Sequence, residues 1–427
     1  MWKKSRVAFL FVLACEIAGS AQQLDVCGCS GSPASLGNFD TLNSATYPPG
    51  TVSGFRTLQL PLPPDGVLVF NSMNLQLRPS DAGLLIVSFI RNAANTPATL
   101  LVSGNLTISA GTTLSVGGDD GTNASTDRLG IGGNGGPGGN RGGDGGYQLV
   151  NFAAFGGAGL GPGGGLGGTA NHFAGGQGGN GTFVSASDLL PLVGGSGGGG
   201  GASTTTAANC AGGGGGGGGG ALLIATNGSI TVNGEINADG GQYGSASNAN
   251  CASYGGAGSG GAIRVLATTL AGTGRIYARG GPSVTGPRGG PGAIRAEALN
   301  NTMNVSGTDP LAARTPGPGA IANIVNPSVS ITAVSGQPIS PTPQGAYGLV
   351  DLVLPAAGLT SIDFSTSGVP TGTTVNVTVK PRVGGAPATN TIALSNCDGI
   401  GNCLATTSFT LPAGSYFVEA RATFQTP

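Results

Sequence analysis

Ala221-Leu222-Leu223-Ile224-Ala225-Thr226-Asn227-Gly228-Ser229-Ile230-Thr231-Val232-Asn233-Gly234-Glu235-Ile236-Asn237-Ala238-Asp239-Gly240-Gly241 is the stretch on which the fold turns. Apolar residues alternate at Leu222/Ile224, Ile230/Val232 and Ile236/Ala238, and Gly or Asn separates the runs, so the pattern predicts three short strands. The stretch recurs after a Gly-Gly start as Ala262-Ile263-Arg264-Val265-Leu266, continuing through Arg275-Ile276-Tyr277-Ala278-Arg279-Gly280-Gly281. A degenerate copy begins at Ala293-Ile294-Arg295-Ala296-Glu297, and a looser one precedes them at 98–118. A unit of this size cannot bury its own apolar face, whereas stacked copies can, with equivalent strands pairing in parallel. The expected fold is therefore all-β: a β-solenoid, or β-helix-like, repeat region over 67–310. In that alignment Glu235 falls over Arg275, Asp239 over Arg279, and Arg264 over Arg295.

Glycine fills the intervals between the strands. The insertions span 130–220, 240–261 and 280–292, and the first carries a period of three: Gly132-Gly133, Gly135-Gly136 and Gly138-Gly139, then Gly142-Gly143 and Gly145-Gly146. Three residues per turn is the polyproline II repeat, so such chains would present all-glycine edges that pack closely. Order is expected for 130–181, and a flexible loop for 197–201. With 86 glycines in 427 residues, matches to Gly-x-Gly-x-x-Gly carry no information about nucleotides.

Lys3, Lys4 and Arg6, the apolar run 7–14 and small residues up to Ala21 predict a signal peptide over 1–21. Cys15 in Val12-Leu13-Ala14-Cys15 is the alternative, as a lipoprotein anchor. Without the leader, 14 basic residues face 17 acidic ones, which gives no drive toward nucleic acid. The Arg-Gly-Gly triplets at Arg141, Arg279 and Arg288 do not change that. No later stretch is of membrane-spanning length, so the chain is expected to be extracellular or at the cell surface. Six cysteines remain and are expected to form disulfides: Cys397 with Cys403, Cys210 with Cys251, and Cys27 with Cys29 across Gly28 or with a partner molecule. Segment 22–66 precedes the repeats, and 311–327 reads as a proline-marked linker. Alternating runs over 328–427 predict an Ig-like β-sandwich.

Chemistry-bearing residues are few. The mature chain holds one Lys (Lys380), one His (His172) and three Glu (Glu235, Glu297, Glu419). No cofactor is expected. Asp119, Asp120, Asn123 and Asp127 form the densest acidic cluster and a candidate calcium site, set against the simpler reading of a solvated turn. His172 has no Ser, Cys or Asp neighbour and reads as a loop histidine. Tyr147, Tyr243 and Tyr254 could stack on sugars. The Gly-Gly-Xaa blocks alternating with Ala-Ile-Arg-Val and Ile-Thr-Val-Asn-Gly strands resemble those of glycine-rich exported bacterial surface proteins, and the composition is similar to the mycobacterial glycine-rich surface family. That resemblance covers 98–307. It implies a surface or matrix role, with extracellular matrix, polysaccharide or cell-surface components as partners.

The leading expectation is a structural or adhesive protein without catalytic activity. A β-helix carbohydrate-active enzyme or carbohydrate binder is the alternative, and it needs Arg264, Arg275, Arg295 and Glu297 around one cleft. Ice binding is a further alternative, and it needs threonine rows, for which Thr107, Thr113 and Thr231 are the candidates.

Overall fold

The computed structural model describes residues 25–29, 34–92, 94–147, 155–169, 176–181, 188–203, 210–283, 286–303, 307–319, 328–339, 352–354, 356–381, 388–398 and 402–422. The expected signal peptide, Cys15 and His172 lie outside them.

The first sheet contains β1 (Asn38–Asp40), β4 (Val67–Phe70), β5 (Ser72–Leu75), β7 (Ala98–Val102), β8 (Leu106–Ile108), β10 (Ala221–Thr226), β11 (Ser229–Val232), β13 (Ala262–Ala271), β15 (Ala293–Asn301) and β17 (Ala313–Pro316). The second contains β2 (Val52–Gly54), β3 (Thr57–Pro61), β6 (Leu85–Ile90), β9 (Thr112–Ser115), β12 (Glu235–Asn237), β14 (Arg275–Tyr277) and β16 (Thr308–Asp309). Apart from the antiparallel β2–β3 pair, both sheets are parallel. Equivalent residues of the copies pair in register: Ala221 with Ala262, Ala262 with Ala293, and Glu235 with Arg275.

The all-β class holds, but the solenoid does not. Eight strands in the order β1-β5-β8-β11-β13-β10-β7-β4 run round as one nearly closed, parallel, barrel-like sheet, with mixed sheets beside it. The junction is β13, which pairs with β10 along its first half and with β11 along its second. Its cause is local. Where the first copy breaks its strands with Asn227-Gly228, the second has Thr268-Thr269, and β-branched residues favour extended backbone. One ten-residue strand therefore ties together two ladders that a turn would have kept apart.

Alternation along these strands decides what is buried. Leu222, Ile224, Ile230, Val232, Ile263, Val265 and Ile276 share one core with Phe39, Phe70, Leu100, Leu106 and Leu114. Each such side chain contributes about 1.5–3 kcal/mol by leaving water. This parallel body begins earlier than the expected boundary at 67, because β1 and β3 already belong to it. It also extends into the expected linker, where β17 pairs with β15.

The glycine tracts form a second kind of interior. Backbone N–H donors along 212–220 turn successively to three neighbours. Gly212, Gly215 and Gly218 donate to the carbonyls of Gly146, Gly143 and Asn140. Gly213, Gly216 and Gly219 donate to Ser253, Gly256 and Ser259. Gly214, Gly217 and Gly220 donate to Thr122, Asp119 and Val116. The carbonyls of the same run accept from three other segments, including Gly130, Gly133 and Gly136, and Gly195, Gly198 and Gly201. A donor direction that repeats every third residue is what three residues per turn produces. The run is thus a hub whose backbone groups are satisfied by surrounding chains, with no side chain between them.

Residues 197–201 are a correction. The flexible loop expected there is a buried member of this bundle: Gly198 donates to Gly216, Gly200 to Gly157 and Gly201 to Gly213. Glycine leaves no side-chain pattern by which a packed segment differs from a loop.

Beyond residue 327 the strands are antiparallel: β18 (Ser328–Val334), β19 (Gln337–Pro338), β20 (Gly358–Ser367), β21 (Thr374–Pro381), β22 (Ala388–Ala393), β23 (Cys403–Leu411) and β24 (Tyr416–Ala422). They form a four-stranded sheet, β19-β18-β20-β23, and a three-stranded sheet, β22-β21-β24. Ile362, Phe364, Val375, Val377, Val379 and Phe409 make a common core between the two.

Candidate functional site

The six cysteines join as Cys27–Cys29, Cys210–Cys251 and Cys397–Cys403. Three disulfides fit an oxidising extracellular compartment. No helix among the described residues is long and apolar enough to cross a membrane. Cys210–Cys251 closes a separation of 41 residues, which corresponds to about 4 kcal/mol of chain entropy withheld from the unfolded state. The C210A/C251A double variant is expected to lose roughly that much, read as a lowered denaturation midpoint. A midpoint within error of the parent would show that the bond adds no stability.

The candidate calcium residues are engaged one by one. Asp119 accepts from the Asn134 amide at 3.3 Å, and Asp127 accepts from the Ser125 hydroxyl at 2.7 Å. Asp120 accepts the Gln242 N–H at 2.7 Å, and Asn123 accepts the Ser245 N–H at 2.8 Å. The last two lie three residues apart, so they meet the neighbouring segment once per turn of the bundle. Among the described residues, the three-residue group with converging ligand atoms is Asp25, Cys27 and Cys29, whose two thiols are joined to each other. Tyr243 and Tyr254 stack edge to face at 5.8 Å, and Tyr243 is buried, so that pair packs internally.

Three of the four residues required for an enzymatic cleft do come together. Glu297 accepts from Arg264 Nε at 2.8 Å, from Arg295 Nε at 2.7 Å and from the Gly319 N–H at 2.6 Å. Burial pushes the Glu297 carboxyl up, but the two guanidinium groups and the Gly319 N–H outweigh it and hold the carboxyl below its ordinary range. Glu297 and Arg264 are buried, and Arg295 is half-buried. Arg275 belongs to the other sheet, where it donates to the Tyr277 hydroxyl at 2.9 Å. The Asp239–Arg279 ion pair forms at 2.6 Å, whereas Glu235 and Arg275 are in register without an ion pair. Thr107 and Thr231 are cross-strand neighbours, while Thr113 lies on the second sheet beside Glu235.

A feature not anticipated from sequence is a groove of about 630 Å³ where the outward face of the second sheet meets the glycine bundle. Side chains of β3, β6, β9 and β12 form its floor, and Gly117, Gly118, Gly135, Gly136 and Pro137 form a wall. On the strands alone these polar residues read as an ordinary solvated face. Part of the wall that makes them a groove, Gly135 to Pro137, comes from backbone about a hundred residues before β12. Compared with known proteins, the chain matches no family model, no curated protein and no solved structure.

Proposed function

We propose that this is an extracellular or cell-surface structural or adhesive protein that performs no catalysis. The glycine hub carries that reading: the chain commits much of its length to a backbone-bonded body that needs almost no reactive side chains. A general acid, base or nucleophile must be held within reach of substrate. The acids most protected from water instead serve the fold: Glu297 clamps two strands, and Asp81 accepts from Arg78 at 2.7 and 2.8 Å. Asp144 accepts the Gly132 N–H at 2.7 Å and pairs with Arg141 at 2.5 Å within the bundle. The resemblance to glycine-rich exported bacterial surface proteins points the same way. Matrix, polysaccharide or cell-surface components are the partners.

The test is a binding screen of the full chain on immobilised matrix proteins and polysaccharides, with product analysis on the same polysaccharides. Saturable binding without shortened chains is expected. Turnover at ordinary enzyme rates would end the non-catalytic reading.

A further inference from the structure

The groove beside the glycine bundle has the marks of a ligand site. Strand register builds its floor from adjoining positions, most of them polar on β9 and β12. Ile86, Thr113 and Glu235 lie side by side on β6, β9 and β12, Gln59 pairs with Ser88, and Ser115 pairs with Asn237. Neighbouring positions are therefore about 4.8 Å apart, the strand spacing. Among the described residues, none gives a hydrogen bond or ion pair to the side chains of Ser88, Thr113 or Glu235, although all three are half-buried. Their polar atoms stay open to the groove, where a bound molecule can take the place of water as hydrogen-bond partner.

The chemistry of the lining narrows the molecule. Hydroxyls both donate and accept, the carboxylate of Glu235 accepts, and the amide of Gln59 does both, while that of Asn237 is engaged at both ends with Asp239. Glu235, Asp119 and Asp239 face the single guanidinium of Arg91 in this lining, and Asp239 is already paired with Arg279. Carboxylates in excess repel uronates, sulfates and phosphates, and they welcome hydroxyl donors. An open trough that crosses four strands suits a linear chain better than a compact metabolite.

We propose that this groove binds an extended, uncharged glycan chain, with Glu235 and Thr113 contacting sugar hydroxyls directly. The proposal rests on the adhesive reading above and gives it a ligand class and a place.

Calorimetric titration of the full chain tests it, using linear neutral hexasaccharides of glucose, mannose and N-acetylglucosamine, with hexagalacturonate in parallel. Saturable binding of at least one neutral hexasaccharide is expected, with none of hexagalacturonate. Glu235→Gln is expected to weaken binding roughly tenfold, from the loss of a charge-assisted hydrogen bond, and the double variant with Thr113→Ala to weaken it further. The melting temperature should not move, because neither side chain has a partner in the fold. No neutral binding, a preference for hexagalacturonate, or unchanged affinity in the double variant would each overturn the assignment. Adhesion of the parent and the double variant to intact matrix is measured alongside. Equal adhesion by both without hexasaccharide binding removes the groove but keeps the adhesive reading. Absent adhesion by the parent removes the adhesive reading itself.

Discussion

Gly216→Ala is expected to prevent the glycine bundle from assembling. An added Cβ would stand 2.1 Å from the carbonyl oxygen of Gly241, a backbone atom that cannot swing aside as a side-chain end can. The surroundings offer no relief. An added Cβ at Gly215 meets the Gly198 oxygen at 2.1 Å, and one at Gly217 meets the Asn134 oxygen at 2.0 Å, so the hub is hemmed in on several sides. Overpacking a well-filled interior costs about 1–3 kcal/mol and sometimes more. Here, forcing neighbours apart also breaks hydrogen bonds around the hub, and each buried group left unpaired costs a further 1–3 kcal/mol or so. The sum is on the order of 5 kcal/mol, comparable to the whole stability of many domains. Gly358→Ala is the control: nothing lies within 4 Å of its added Cβ and its φ is not left-handed, so it should stay within about 0.5 kcal/mol of the parent. Thermal unfolding and soluble yield of the two variants measure the contrast. Equal melting temperatures for Gly216→Ala and the parent would mean that the bundle is looser than its hydrogen bonds imply.

The pairing of copies could be read in advance because side chains encode it. The Gly-Gly-Ala starts set Ala221 against Ala262, and apolar alternation then sets the inward face. Even the unfavourable juxtaposition of Arg264 with Arg295 is real, and Glu297, two residues along the same face, answers it by accepting from both. Closure of the sheet was less legible, since it depends on Thr268-Thr269 continuing a strand where the preceding copy turns at Asn227-Gly228. In the bundle the three-residue period could be read, but not the partners. Nothing in residues 195–201 names 213–219 as neighbours, because the recognition passes between identical backbones. The groove was illegible for the same reason: its polar floor is written in the strands, and its wall in glycine.

Glu297→Ala is expected to cost about 3–5 kcal/mol at neutral pH. Side-chain exposure is 1% for Glu297 and 5% for Arg264, so removing the carboxylate strands a guanidinium in the interior, and truncating one partner of a buried pair is far more damaging than the pair is stabilising. Arg295, at 18% exposure, can turn part of its charge to water, so Arg264 carries most of the effect. Glu297→Gln keeps an acceptor oxygen and the volume, and should fall between the parent and the alanine variant. The sign of the pH dependence separates this from a simple packing defect. Because the folded carboxyl sits below its ordinary range, the unfolded chain takes up the proton first as acid is added. The stabilisation is therefore complete above the ordinary glutamate pKa and is lost as pH falls through the depressed one. The gap between parent and Glu297→Ala, measured by urea unfolding, should be full at pH 7 and narrow toward pH 3, while other acids titrate in both proteins and cancel. A gap that stays constant across that range would assign the loss to cavity and shape, leaving the buried charge with no energetic role in joining β13 to β15.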